Sequence, residues 1–548
     1  MRKINTDFKY LISIWVVLFL AIILTYAHHG NLIIDCGREA YYPTQILSGE
    51  ILYKTIFNIY GPFSYMFNAF LFQVFGINLN VLYLAGAVCA FLIVSLIYAI
   101  SRQFLSKFLS FSIAILTILI GVLNLNLFNF IFPYSYAMLY GFVAFLTSVW
   151  LLLKYQQTPE KSIYLYLSVF FAGLCITSKY EFLPYLSVIL YAIFKVKPLK
   201  FKQSYFTIFS LLFVPIFCFG ILFLQGLELN DLMSTALTVK KMAQSETLKY
   251  FYHMQGVCFN KQTFGVFLLN FIKTIFPLGL LICGFALKKR EFSLGLIILA
   301  LLLIVFSINP ASFVFLPIFT IILALLSLNT LKENPKLLIL VLSCITFDLK
   351  VFWGLATLNY GVFFASFLLI TVLALIIKRF ETQNINQRVL GVYFLTVAVI
   401  LGWQNLSSFT IKNYLIQSDR GRIYSSKELA YSTQELINYI NKNTQKTDTV
   451  VVFPEGPFIN FLTNRKSDNY YNSLIPLYVE TFGEDKLVEH FKKTKPEYVI
   501  FNNWNTKDYY FEYICNDYAL SFCSFVAENY TQKKVIGKGF RYLIFQRR

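Results

Sequence analysis

Hydrophobic positions along this chain arrive in long uninterrupted blocks separated by short polar loops. The blocks fall at Tyr10 to Ala27, Leu79 to Ile100, Phe108 to Leu127, Tyr134 to Leu153, Ser162 to Thr177, Phe182 to Phe194, Ser204 to Leu224, Gly265 to Leu287, Phe292 to Ile308, Phe313 to Leu328, Leu337 to Phe347, Gly361 to Ile377 and Leu390 to Leu406. Most approach the roughly 17 to 25 residues a helix needs to cross about 30 Å of hydrocarbon. The pattern predicts a polytopic α-helical membrane protein with about 13 transmembrane helices in residues 1–407.

Beyond about Gln404 the apolar runs shrink to strand length and helical and strand signals alternate. Thr449 to Phe453 and Tyr498 to Phe501 read as buried strands, with Glu484 to Lys493 as an amphipathic helix between them. This predicts a small C-terminal α/β soluble domain, residues 408–548, with parallel pairing. Arg541 to Phe545 reads as an added edge strand; Pro454-Glu455-Gly456-Pro457 resembles a ligand-facing turn, but a turn carrying a solvated glutamate is the favoured reading.

Composition agrees: 57% hydrophobic and 18% aromatic residues against 14% charged exceed what a soluble domain carries. A net charge of +19 raises nucleic acid as a partner, but the placement of the cations answers otherwise. Arg2, Lys3 and Lys9 precede the first block, and every second loop is short and basic: Arg102 and Lys107; Lys154 and Lys161; Lys195, Lys197, Lys200 and Lys202; Lys288, Lys289 and Arg290; Lys332 and Lys336; Lys378, Arg379 and Arg388. Such loops face the cytoplasm. The expectation is therefore a multi-pass protein of the cytoplasmic (inner) membrane, N-terminus inside and C-terminal domain outside, with no basic groove for nucleic acid.

The complementary outer loops, 29–78 and 226–263, then carry the unusual polar residues. Tyr10 to Ala27 has a signal-like core but no small-residue cleavage site, and reads as a retained anchor. Phe63 to Phe75 is apolar yet too short to span, suited to lie at headgroup level. Of nine cysteines, Cys36, Cys258, Cys515 and Cys523 fall outside; a bridge between the last two is compatible with their spacing, which alone does not establish it.

Phosphate-binding glycine loops, HExxH and CxxC are all absent from the sequence, as is an Asp-x-Asp pair to hold a divalent ion on a nucleotide diphosphate. No metal or cofactor is expected. What remains is charge at the outer surface: Asp35, Arg38, Glu39 and Glu50 in the first loop, Lys179 and Glu181 in a tight turn, and Lys240, Lys241, Lys249 and His253 in the second large loop. On a helix Asp35 and Glu39 share one face, so that one acts on a substrate while the other orients it. Lysine and arginine at a lipid surface suit a phosphate.

Asp35-Cys36-Gly37-Arg38-Glu39, Leu47-Ser48-Gly49-Glu50-Ile51-Leu52-Tyr53, Tyr60-Gly61-Pro62 and Phe75-Gly76, with Thr177-Ser178-Lys179 and Phe315-Leu316-Pro317, resemble the pattern of bacterial membrane glycosyltransferases of the GT-C class. Those enzymes are similar to protein O-mannosyltransferases and to the aminoarabinose transferases that modify lipid A. The resemblance implies inverting transfer of a sugar from a polyprenyl-phosphate donor to a lipid, glycan or protein acceptor. It maps the catalytic base to Asp35, with Glu39 as the second acid, and the donor-phosphate lysine to Lys179, with Arg38 beside it. Many relatives carry an adjacent Asp-Glu pair; here Cys36 follows Asp35. Lys240, Lys241, His253 and Tyr60 are expected in the substrate loops.

Two other classes compete. A polyprenyl-lipid or glycan transporter or flippase would place charges near the bilayer midplane, often in paired repeats, whereas the acids here cluster at outer ends. A scaffold whose tail binds a partner would leave Asp35 dispensable.

Overall fold

The computed structural model describes residues 6–196, 201–254, 261–352, 357–383 and 385–548. Arg2, Lys3, Lys197, Lys200 and Cys258 of the sequence reading, and the side chain of Lys202, lie outside the described residues. The chain runs through α1 (Thr6–Leu24), α2 (Cys36–Leu47), α3 (Phe63–Phe75), α4 (Leu79–Ser101), α5 (Lys107–Gly121), α6 (Tyr136–Gln157), α7 (Ser162–Ser178), α8 (Leu186–Val196) and α9 (Phe201–Leu224). There follow α10 (Leu229–Ala243), α11 (Glu246–Met254), α12 (Lys261–Ala286), α13 (Arg290–Ser307), α14 (Leu316–Leu326), α15 (Leu328–Glu333), α16 (Pro335–Phe352), α17 (Thr357–Arg379) and α18 (Gln387–Leu406).

Every predicted apolar block is helical, and among the described residues seven helices are long and apolar enough to cross a membrane. The shorter α5 and α7, of 15 and 17 residues, are apolar as well. The bundle keeps large apolar side chains on its outside, among them Phe209, Ile216 and Phe217 of α9 and Leu299, Leu302 and Phe306 of α13. Such a surface suits hydrocarbon rather than water.

The bundle has two chemically different ends. At one, Asp7 pairs with Arg102 (2.7 Å) and Lys107 (2.9 Å), Lys336 Nζ donates to Gln103 O, Gln157 bonds Gln103, and Ser106 N donates to Gln387 Oε1. Loops assigned to one face from their basic residues thus meet in space. At the other end α18 runs into the C-terminal region: Lys412 Nζ donates to Leu125 O, Tyr424 N to Ala27 O (2.8 Å), and Leu79 N to Arg420 O (2.9 Å).

That region opens with a hairpin, β1 (Tyr414–Ser418) and β2 (Gly421–Ser425), then α19 (Lys427–Asn443), β3 (Val450–Phe453), α20 (Pro457–Thr463), α21 (Pro476–Phe482), α22 (Glu484–Thr494), β4 (Tyr498–Asn502), α23 (Leu520–Asn529), β5 (Tyr530–Ile536) and β6 (Tyr542–Arg547). The sheet order is β3-β4-β6-β5, with β3 and β4 parallel as predicted and the other pairs antiparallel. One expectation is corrected. The Arg541 to Phe545 stretch becomes an interior strand, because β5 adds beyond it; β5 exposes Gln532, Lys533 and Lys534, the charged edge that blocks further pairing. The hairpin was not expected at all.

Alternation along the strands feeds two cores. Val450, Val452, Ile500 and Ile544 pack with Leu436 and Ile440 of α19, while Val451, Phe453, Val499 and Phe501 pack with Leu487 and Phe491 of α22 and Phe522 of α23. The bundle's own core continues into this region through Ile416, Ile423, Phe458 and Phe461. Cys515 and Cys523 form a disulfide.

Candidate active site

The loop between α1 and α4 folds as α2 and α3, and Asp35 stands at the start of α2 with φ +59°, a conformation non-glycine residues rarely adopt. Its carboxylate pairs with Arg38 Nη2 one turn on. Arg38 is held from the far side as well: its Nε stands 3.4 Å from Glu455 Oε1, and its Nη1 donates to Tyr478 Oη at 3.3 Å. Glu455 Oε1 also accepts the Asp35 backbone N–H at 3.1 Å. Side-chain exposures of 24% for Asp35, 12% for Arg38 and 4% for Glu455 make Asp35 the member open to a ligand.

Glu455 overturns the expectation of a solvated turn. It sits where β3 ends and α20 begins, at the carboxyl edge of the parallel strands. The turn is fixed by Asn502 Nδ2 donating to Glu455 O and by Leu474 N donating to Pro454 O (2.7 Å). The reason the turn reaches Asp35 is Gly37. A Cβ there would stand 2.5 Å from the backbone nitrogen of Phe458, so only glycine lets α20 seat on α2. Two further bonds clamp the same faces, Ser467 N to Tyr41 Oη (2.7 Å) and Tyr42 Oη to Asn472 Oδ1 (3.2 Å).

Glu39 shares the helix but not the environment of Asp35. It is 1% exposed, and its two oxygens accept from Tyr65 Oη (3.0 Å) and from Tyr136 N (2.9 Å), the first residue of α6. A carboxylate at a helix N-terminus complements the unpaired N–H groups there. Burial pushes its pKa up to about 7, against those two bonds and the charge of Arg38. Its hydrogen-bonding capacity is spent on joining α2, α3 and α6.

Lys179 follows α7, buried to 2% of its side chain. Its Nζ donates to Tyr134 Oη (2.7 Å), lies 3.1 Å from Glu181 Oε1, and stands 5.0 Å from the ring centroids of Tyr60 and Tyr134. Its charge acts on Asp35, lowering the carboxyl pKa that burial raises. The joint depends on Gly61: Gly61 N donates to Ser178 O (3.2 Å), and a Cβ there would stand 1.8 Å from Thr177 O. Tyr60-Gly61-Pro62 and Thr177-Ser178-Lys179, far apart in sequence, are one contact.

The second loop contributes α10 and α11. Lys54 Nζ reaches Glu228 Oε1 (2.9 Å), and Glu480 of α21 accepts from the backbone of Glu246 (3.0 Å) and Thr247 (3.1 Å) at the start of α11. Lys240, Lys241 and His253 have exposed side chains, Lys241 acting on Glu480. The predicted residues thus separate into a buried set, Asp35, Arg38, Glu39 and Lys179 with the half-buried Tyr60, and an exposed set on the second loop. Tyr478 is a site residue the sequence did not announce, and Glu455 is one whose ligand-facing reading lost to the solvated turn.

These observations define a polytopic membrane protein whose polar end holds a buried carboxylate–cation cluster closed by a C-terminal α/β region. No family model matches the sequence, and no curated protein matches it. Among solved structures, the archaeal oligosaccharyltransferase AglB from Archaeoglobus fulgidus, in complex with an inhibitory peptide and a dolichol-phosphate, is similar at 11% identity and TM-score 0.47, over 90% of this chain and 69% of that one. ArnT from Cupriavidus metallidurans bound to undecaprenyl phosphate is similar at 12% identity and TM-score 0.45, over 98% of both chains. Both are glycosyltransferases of the GT-C class that the loop pattern resembles. Likenesses of this depth leave the chemistry to be read from this chain's own residues.

Proposed function

We propose that this protein transfers a sugar from a polyprenyl-phosphate donor to a lipid, glycan or protein hydroxyl at the outer face of the cytoplasmic membrane. The observation that carries the reading is a partly open carboxylate, Asp35, and a buried cation, Lys179, whose charge acts on it, both at the end of an apolar bundle. In one displacement Asp35 takes the acceptor's proton, the acceptor oxygen bonds the anomeric carbon, and the bond from that carbon to the phosphate oxygen breaks. The carrier phosphate leaves with the electron pair, and the anomeric centre inverts. Lys179, aided by the charge of Arg38, stabilises that phosphate, and the surrounding aromatic rings strengthen the attraction by excluding water. No resident metal or cofactor is part of the proposal.

An isoprenoid tail has a place to lie. An apolar cavity of about 380 Å³ is lined by Phe63 and Phe67 of α3, Leu84 and Val88 of α4, Tyr140 of α6 and Leu174 of α7, starting one turn before Lys179. Two observations support the orientation: the basic loops gather at the opposite end, as the positive-inside rule requires, and a disulfide suits an oxidising compartment. In this reading residues 408–548 form the outward domain.

The test is reconstitution with a radiolabelled polyprenyl-phosphate sugar and membrane-derived acceptors. Wild-type protein should yield glycosylated acceptor and free carrier phosphate, where a flippase or scaffold yields neither. Asp35→Asn should lower turnover by about 10²- to 10⁴-fold with donor binding kept. Near-normal turnover in that variant would sink the assignment.

A further inference from the structure

The mechanism above leaves Glu455 unused, although it is a buried charged group at the site, only 4% exposed. It reaches Asp35 from the far end of the chain, and it contacts both the backbone of that residue and the guanidinium that pairs with its carboxylate. We propose that Glu455 is a positioning residue for sugar transfer: brought in by docking of the C-terminal region, it fixes the strained backbone of Asp35 and divides the charge of Arg38. This inference rests on the proposed glycosyl transfer and deepens it.

Arg38 alone against Asp35 would make a bidentate pair, with a strongly acidic carboxylate and a poor base. A second carboxylate on the same guanidinium draws it away. The groups facing the pair are Arg38 and Glu39 on α2, Tyr60 and Lys179 from the loop and the end of α7, Tyr478 on α21, and Tyr509 in the turn after β4. Two cations stand against four carboxylates, Glu39 being satisfied by Tyr65 and Tyr136 and Glu181 paired with Lys179. Burial, with the charge of Asp35, lifts Glu455 to about 7 against the pull of Arg38. Burial raises Asp35 as well, and with Arg38 shared between them the two acids titrate as a unit.

Geometry gives the same result from the backbone side. Asp35 holds φ +59°, and its N–H is tied to Glu455 Oε1. Loss of that acceptor frees the turn to relax, which moves the base relative to an acceptor hydroxyl. A displacement of about 1 Å costs about 10²-fold in rate. The C-terminal region is thereby a condition of activity, because the site is incomplete until β3 and α20 seat against α2.

The experiment measures donor-saturated turnover and the pH dependence of kcat/KM for wild type, Glu455→Gln and Glu455→Asp in the full chain. For Glu455→Gln, whose amide oxygen still accepts the Asp35 N–H, the expected result is a kcat lower by about 10-fold as Arg38 pairs fully with Asp35 and weakens the base, with donor KM within about 2-fold. Its acidic limb should move to lower pH, because removing a negative neighbour lowers the pKa of Asp35. Glu455→Asp keeps the charge and should keep the wild-type limb while losing rate. An unmoved limb in Glu455→Gln, or turnover equal to wild type, overturns the proposal. If Glu455→Gln does not fold, Glu455→Asp still decides: a limb displaced like that expected for Gln overturns it. Absence of transfer by wild type would instead refute the glycosyltransferase reading, so the two failures are distinguishable.

Discussion

Loops 29–78 and 226–263 are similar in sequence character and opposite in outcome. Each carries acids, cations and aromatic residues, yet among the described residues it is in the first that the fold gathers charges into a cluster largely shut off from water. The difference lies in what covers them. The first loop is overlaid by α20, which seats on Gly37 and brings Glu455 against the largely buried Arg38, while α3 and α6 enclose Glu39. The second is held by the ends of its helices, Glu228 to Lys54 and Glu480 to the start of α11, so Lys240 and Lys241 keep their water. Equal charges have unequal consequences because a buried, confined charge acts through a low dielectric and an exposed one is screened. A list of polar residues at a membrane surface is therefore only a list of candidates until it is known which of them the fold dries.

The largest effect that would sharpen this contrast, beyond the base itself, is at Lys179. Lys179→Gln removes the buried cation while leaving Glu181, one-third exposed, able to be solvated. Loss of a charged hydrogen bond of about 1.5–3 kcal/mol corresponds to a fall in kcat/KM of about 10- to 100-fold. The fall should appear as weaker use of the phosphate-linked donor, read by titrating donor in the transfer assay. A variant with unchanged donor dependence would remove Lys179 from the phosphate.

Next in size is Gly37→Ala, which attacks the covering itself. The added Cβ lies 2.5 Å from the nitrogen of Phe458, a backbone atom that cannot rotate away. Overpacking of this kind costs about 1–3 kcal/mol. The expected result is a lower Tm and faster proteolytic cleavage within residues 411–548, together with lost turnover. Unaltered melting and cleavage would mean that the two regions are not seated by this contact.

The helices were legible because a spanning segment announces itself by length and apolar content alone, and every block became a helix. Asp35, Glu39 and Lys179 were legible as charges at the ends of such blocks. Glu455 was not: a Pro-Glu-Gly-Pro turn after a strand reads as solvent-exposed, and its burial depends on partners 420 residues away in sequence. The interior place of β6 was missed for a similar reason. Its neighbour β5, with Gln532, Lys533 and Lys534 exposed, has the polarity of an edge and not the alternation of a strand. The hairpin of β1 and β2 is short, and what holds it is contact with the ends of α1 and α4, which no local pattern encodes.

The smallest expected effect completes the comparison from the other side. Lys240 and Lys241 are exposed at the end of α10, and Lys241 acts at a distance on Glu480. Neutralising them together, Lys240→Ala with Lys241→Ala, should change stability by about 0.5 kcal/mol or less. Turnover should stay within about 2-fold of wild type, since an exposed pair of charges contributes little once salt screens it. Measured at low and at physiological ionic strength, any residual effect should shrink as salt rises, the behaviour of a long-range field on an anionic donor. A tenfold loss that persists at high salt would mean that the second loop closes over the first during the reaction. Burial would then be acquired during turnover by the loop that the resting structure leaves wet.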